Sequence, residues 1–228
     1  MNKNHRRAGG RAARISKRQA PLPKANRPIR PGQSGGQYQP LTKTGIDRIH
    51  EAALQVLEEI GLSQAPATGA AAMVRAGAVQ GDDGRLRFPR ALVEDMLAIA
   101  PKALTLHARD PEHDLLLSGT RVHYGTAGAA VHMVDVTGNE YRESTVQDLH
   151  DAARIVDRLD NIHFLQRPMV ARDVTENREM DLNTLYACCS GTKKHVGTSF
   201  TEPDFVPDCI ELLHMIAGDE ATWRARPF

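Results

Sequence analysis

Residues 161–200, NIHFLQRPMVARDVTENREMDLNTLYACCSGTKKHVGTSF, constrain the fold more than any other stretch of the chain. Ile162, Phe164 and Leu165 open an apolar run that closes at Gln166-Arg167-Pro168, which reads as a short strand. Leu182, Leu185, Tyr186 and Cys189 then recur at helical spacing, and Gly191 stands where that helix should stop. Lys194 to Phe200 is a second short strand. Strand, helix and strand within about one βαβ length imply parallel strands joined by a right-handed crossover, because parallel neighbours need a long return connection. In such units ligands meet the carboxyl ends of the strands. Here those ends carry Gln166, Arg167, Thr198 and Ser199.

The flanks extend the pattern. Ser144 and Gln147 form an S-x-x-Q capping box before a helix with Val146, Leu149, Ala152, Ala153, Val156 and Leu159 on one face. Pro203 opens a last helix, with Val206, Ile210, Leu213 and Ile216 inward and Gly218 at its end. Residues 144–218 therefore read α-β-α-β-α. Two parallel strands make no stable sheet alone, so the expectation is the front portion of a larger α/β protein.

Upstream, residues 42–143 read as a helical and β-hairpin layer. A helix over 42–61 starts at Thr44 with Asp47 three residues on, buries Ile46, Ile49, Ala53, Val56, Leu57 and Ile60, and ends at Gly61. A short Ala-rich helix covers 66–77, and Gly81-Asp82-Asp83-Gly84 is a turn. Pro89 begins a helix that buries Leu92, Val93, Met96 and Leu97 and stops at Pro101. Alternating stretches at 104–107, 115–117, 121–124 and 131–136, with a turn at Thr137-Gly138-Asn139, predict antiparallel hairpins.

Residues 1–41 form a basic leader punctuated by Pro and Gly, which argues against a packed element. Residues 1–43 hold eleven Lys and Arg and no acid, so the remaining chain carries 18 basic and 28 acidic side chains. A body this acidic is a poor non-specific nucleic-acid binder, and no nucleic-acid partner is expected. The leader reads as a mobile tail, with a nucleic-acid arm as the alternative. The Arg6-Arg7 pair is followed by no apolar segment, which excludes a twin-arginine export signal. No run approaches the ~20 apolar residues of a membrane helix. Cys188, Cys189 and Cys209 follow no metal spacing and read as packing thiols in a reducing, cytoplasmic setting.

Local motifs leave the chemistry open. His123-Tyr124-Gly125-Thr126-Ala127-Gly128-Ala129 is either a tight hairpin turn or a ligand-facing loop, in which Gly125 and Thr126 would approach a ligand. Arg167, beside Gln166, offers a fork for a carboxylate or a salt bridge to Asp173, Glu176 or Asp181. Thr198 and Ser199 donate hydroxyls to a substrate or cap the helix after Pro203. His163 and His195 are a conceivable metal pair, but core histidines fit better, since no carboxylate stands at ligand spacing. There is no HExxH and no G-x-S-x-G.

Longer runs are more specific. Gly9–Arg14, Arg27–Gly32, IHEAALQVLEEIGL (49–62), RDPEHDL (109–115), VHYGTAGAAV (122–131), DNIHFLQRPMVARD (160–173), DLNTLYACCSGTKKHVGTSFTEP (181–203) and ELLHMIAG (211–218) resemble the trimethylamine methyltransferase family. The resemblance implies an α/β fold in which this chain is the N-terminal part of a TIM-type (β/α)8 barrel, with residues 144–228 as the first βα units of an incomplete barrel. It implies methyl transfer from trimethylamine or a glycine betaine-like quaternary amine to the Co(I) corrinoid of a partner protein. A homo-oligomer is expected at full length, and the chain alone is expected to be inactive. The family divides into pyrrolysine and non-pyrrolysine branches at a position in the later barrel. An aromatic cage for a quaternary ammonium would draw on Tyr124, Phe164 and Phe200, and Arg167 would meet a betaine carboxylate. The alternative is a non-catalytic half-barrel that binds or oligomerises. Catalytic residues are expected in the later half.

Overall fold

A computed structural model describes residues 10–20, 22–23 and 26–228; Lys3, Arg6, Arg7, Gly9 and Pro21 lie outside the described residues. The chain divides into two compact units. One is Gly35–Leu104; the other joins the chain up to Ser34 with Thr105–Phe228. Of the two boundaries, Ser34/Gly35 falls inside the expected 1–41 leader and Leu104/Thr105 inside the expected 42–143 layer.

The leader carries two elements. Arg11–Gln19 forms a helix (α1) with no buried residue, and Gln33–Ser34 is a short strand (β1). Arg27 pairs with Asp160 at 2.9 Å.

In the Gly35–Leu104 unit, α2 spans Lys43–Gln55 and continues as a π turn, Val56–Ile60, to Gly61. Its cap is Thr42, not Thr44. The Thr42 hydroxyl accepts from Gly45 N, while Asp47 instead pairs with Lys43 at 2.8 Å. The expected buried face is also displaced: Leu54 is buried, whereas Ile46, Ile49, Val56 and Ile60 are exposed. A unit this small covers only a narrow stripe of each helix. Helix α3 (Ala67–Arg75) leads to strands β2 (Val79–Gln80) and β3 (Leu86–Arg87), which pair antiparallel around the 81–84 turn. Arg85 and Arg87 return to the end of α2, donating to the Ile60, Gly61 and Glu59 carbonyls. Those carbonyls lack intrahelical partners, and cationic donors suit that end of the helix dipole. Pro89 is the cap, not the first residue, of α4 (Arg90–Ile99), on which Met96 and Leu97 are exposed against expectation.

Strands β4 (Ala103–Leu106), β5 (Leu115–Ser118) and β6 (Arg121–Val122) follow, and β6 pairs antiparallel with β1. Strands β7 (His132–Val134) and β8 (Tyr141–Glu143) form the expected hairpin, closed by Asn139 at φ 52. Between β6 and β7 no hairpin turn forms among the described residues. Gly125 bridges parallel to Phe164 and Ala130 parallel to Met169, in one register, so residues 124–130 run as an irregular third rung beside 163–169.

Helix α5 (Val146–Arg158) is capped by a box one residue later than expected, Thr145 with Asp148 in place of Ser144 with Gln147. Ser144 is fully buried and donates to Val170 O at 2.7 Å and Ala130 O at 3.2 Å, tying the rungs together. Leu149, Ala153 and Val156 face the core; Leu159, past the helix end, is exposed.

The parallel unit forms as expected, but the second strand is shorter than the expected 194–200, ending at Gly197 so that Thr198 and Ser199 lie just past it. Strand β9 is Phe164–Gln166, helix α6 Asn177–Gly191 and strand β10 His195–Gly197, with β9 and β10 parallel and Val196 opposite Leu165. Gly191 is the last residue of α6, and a Cβ there would lie 2.5 Å from Ala153 Cβ and 2.9 Å from His150 O. The close approach of α5 demands glycine there. Leu165, Leu185, Cys188, Cys189, Val196, Cys209 and Leu213 complete the core, while Tyr186 is exposed rather than inward. Burial pushes the Cys188 thiol up to about 12 and Cys189 to about 11, so both act as packing groups. After a 3-10 turn at Pro203–Phe205, α7 covers Val206–Ala217. A helix the sequence did not signal, α8 (Glu220–Ala225), brings Arg226 onto Asp114 through two bonds of 2.8 and 2.9 Å. Among the described residues no helix is long and apolar enough to cross a membrane.

Candidate active-site rim

Three adjacent parallel rungs end together: residues 124–126, β9 and β10. Their carboxyl ends gather the polar groups singled out from sequence. The Thr126 hydroxyl donates to Gln166 O at 2.5 Å, and Arg167 N donates to Gly197 O at 2.9 Å. Gly125 and Gly197 are cradles. A Cβ on Gly125 would collide with the Phe164 ring, and one on Gly197 with Gln166 Oε1. Phe164 and Gln166 alternate with the buried Leu165, so both project from the sheet face opposite the helices. The hairpin-turn reading of Gly125 and Thr126 is thereby overturned by parallel pairing.

Arg167 is the notable group. Its expected salt-bridge partners are otherwise committed: Asp173 accepts from Val146 N (2.9 Å), Glu176 caps α6 through Glu179 N, and Asp181 accepts from Thr201. Among the described residues no hydrogen bond or ion pair holds its guanidinium. Thr198 and Ser199 do not cap the following turn or helix, neither of which has a side-chain cap. The Thr198 hydroxyl reaches only Ser199 O, at 3.5 Å, and Ser199 is exposed. The aromatic trio is not assembled. Phe200 packs against the core, and Tyr124 meets His163 edge-on at 5.9 Å, with its hydroxyl near Gln33.

The histidines serve the backbone. His195 Nδ1 donates to His107 O at 2.7 Å. Tyr124 N donates to His163 Nδ1 at 3.0 Å, and His163 N donates to Tyr124 O at 2.7 Å, locking the rungs below the rim. No three His, Cys, Asp or Glu side chains converge as a metal site among the described residues. Burial, then the nearby His123 and Lys194, lower the His163 pKa from 6.5 to about 4. The folded state thus takes up this proton less readily than the unfolded chain. The stability His163 contributes is complete above pH 6.5 and is lost as pH falls from 6.5 toward 4. We expect His163→Asn, whose oxygen can still accept from Tyr124 N, to remove on the order of 2 kcal/mol of the acid destabilisation in that window. Urea unfolding of both proteins at pH 7 and pH 4.5 checks this; parallel losses would refute it.

Sequence reasoning missed Lys194, at the amino end of β10 away from the rim, and read Asp181 behind the rim only as a salt-bridge partner for Arg167. Lys194 and Asp181 are both almost fully buried. Asp181 had a signal: helical phase places it on the apolar face with Leu185 and Cys188.

With this geometry in view, comparison with known proteins places the chain. The family model described as trimethylamine methyltransferase (MTTB) matches residues 7–228, and the chain belongs to that family. Trimethylamine methyltransferase MttB of Desulfitobacterium hafniense (strain DSM 10664 / DCB-2) is 30% identical over 186 residues, covering 78% of this chain and 36% of the relative. Glycine betaine methyltransferase of D. hafniense (strain Y51) is 26% identical over 197 residues, covering 86% and 40%. Trimethylamine methyltransferase MttB1 of Methanosarcina mazei is 26% identical over 203 residues, covering 85% and 40%. The chain spans about two fifths of the length of these curated relatives.

Proposed function

We propose that this chain supplies the first rungs of a (β/α)8 barrel that transfers a methyl group from a methylated amine to a corrinoid carried by a partner protein. The observation that carries the reading is the polar rim at the carboxyl ends of three parallel rungs, where ligands bind in barrels of this type. The Co(I) corrinoid, when its carrier docks, supplies the nucleophile that accepts the methyl group. The residues here fit a role in holding the methyl donor rather than the cobalt, because the Nδ1 atoms of His163 and His195 engage backbone groups and His163 Nε2 is buried. Gln166, Thr198 and Ser199 orient the donor, Gly125 and Thr126 shape the floor, and Arg167 receives a carboxylate. In-line transfer requires such fixed orientation. A reducing cytoplasm suits this chemistry, and the free thiols of Cys188, Cys189 and Cys209 agree with it.

The test is methyl transfer by the full-length protein to photoreduced cob(I)alamin or a Co(I) corrinoid protein, followed by the absorbance of methylcobalamin. Turnover with trimethylamine or glycine betaine is expected. No transfer from any methylated amine, together with concentration-dependent folding, would favour the half-barrel binding module instead.

A further inference from the structure

Behind the rim lies a carboxylate that no local motif announces. Asp181, in the first turns of α6, is 1% exposed. Its Oδ2 accepts both the backbone N–H of Thr201, at 2.7 Å, and the Thr201 hydroxyl, at 2.9 Å. Its Oδ1 is buried with no donor among the described residues. All the hydrogen bonding recorded for this carboxylate is therefore given to one residue. Burying a carboxylate costs several kcal/mol, and a leucine would fill the same space without that penalty. The geometry is what the carboxylate adds. Thr201 closes the bend that leaves β10, and the bend carries Thr198 and Ser199. At its other end, Gly197 O is held by Arg167 N at 2.9 Å. Between these two anchors the only side-chain bond among the described residues is the long one from Thr198 to Ser199 O, at 3.5 Å.

We infer that Asp181 is a positioning residue: through Thr201 it sets the bend that presents Thr198 and Ser199 at the rim. The role rests on the proposed function only for its consequence for substrate; the anchoring itself does not. It acts by hydrogen-bond acceptance, not by charge, since neither oxygen takes part in an ion pair among the described residues. Asparagine keeps an acceptor oxygen for both Thr201 donors; leucine keeps none.

The experiment compares Asp181→Asn, Asp181→Leu and Thr201→Val in the full-length protein. Hydrogen–deuterium exchange of peptides covering residues 197–202 should quicken about tenfold or more in Asp181→Leu, less in Thr201→Val, and little in Asp181→Asn. Thr201→Val keeps the fold's shape, so it decides the matter if Asp181→Leu does not fold. With glycine betaine and trimethylamine as substrates, KM should rise in the same order while kcat changes little. Unchanged exchange in Thr201→Val and Asp181→Leu would overturn the anchoring. Asp181→Asn as impaired as Asp181→Leu in KM, with wild-type exchange, would show that the charge matters and overturn the role proposed. A wild-type protein with no methyl transfer refutes the proposed function alone, because the exchange comparison still stands.

Discussion

Replacing Lys194 with methionine should lower stability by on the order of 4 kcal/mol, seen as a drop in Tm of about 10 °C or more. Lys194 is 3% exposed, and its ammonium donates to Val156 O (2.7 Å), Leu159 O (2.8 Å) and Ile162 O (2.6 Å). These carbonyls belong to the last turn of α5 and the turn that follows it into β9. Carbonyls at a helix end keep acceptor capacity to spare, here with one backbone N–H each at Val156 O and Leu159 O, and a cation there also meets the negative end of the dipole. One side chain thus joins the start of β10 to the end of α5 and the approach to β9. Burial pushes its pKa down while Asp157 and Asp160 pull it up. Methionine matches the stem but removes three charge-assisted bonds; Val156 O and Leu159 O keep the backbone N–H groups of Leu159 and Ile162, while Ile162 O is left with no donor among the described residues. Lys194→Arg should not restore stability, because a planar fork does not point donors at three converging carbonyls. Calorimetry of the three proteins checks this. A methionine variant within 1 kcal/mol of wild type would show that water serves the carbonyls instead.

Replacing Arg167 with alanine should raise KM for glycine betaine about 10- to 100-fold and leave kcat little changed, in the full-length protein. The guanidinium has no acid partner among the described residues, and its three candidate partners are occupied elsewhere. A charge-assisted bond to a substrate carboxylate persists through methyl transfer, so its loss weakens ground and transition states alike. Trimethylamine has no carboxylate, and its KM should not move. Lysine should recover part of the affinity, lacking the two-pronged geometry. Steady-state kinetics with both substrates decides the matter; equal KM values for wild type and variant with betaine would end the role assigned to Arg167.

Part of this architecture could be read before any coordinates. The βαβ unit at 161–200 was legible because its periods switch cleanly from strand to helix and back, and because parallel strands admit few connections. The turn at 137–139 and the buried cysteines were legible for the same local reasons. Caps were legible only to within a residue or two. Ser144 looks like a helix cap, yet it is committed to carbonyls of Ala130 and Val170, so Thr145 takes the position. Apolar periodicity located the helices but did not decide which face is covered, as the exposed Ile46, Ile49 and Val56 show.

The rim was half legible. Gln166, Arg167, Thr198 and Ser199 follow from strand ends, which are local. The rung at 124–130 does not, because Gly125 pairs with Phe164 through backbone groups that carry no side-chain pattern. The sequence by itself determined the parallel pair, the thiol-lined core and the polar character of the strand ends. Tertiary structure alone decided that a third rung joins them, that the Arg167 guanidinium has no partner among the described residues, and that Lys194 and Asp181 are buried in the service of distant backbone. Each of these depends on which donors and acceptors meet across long stretches of chain, and periodicity, being a property of neighbours in sequence, does not encode such meetings.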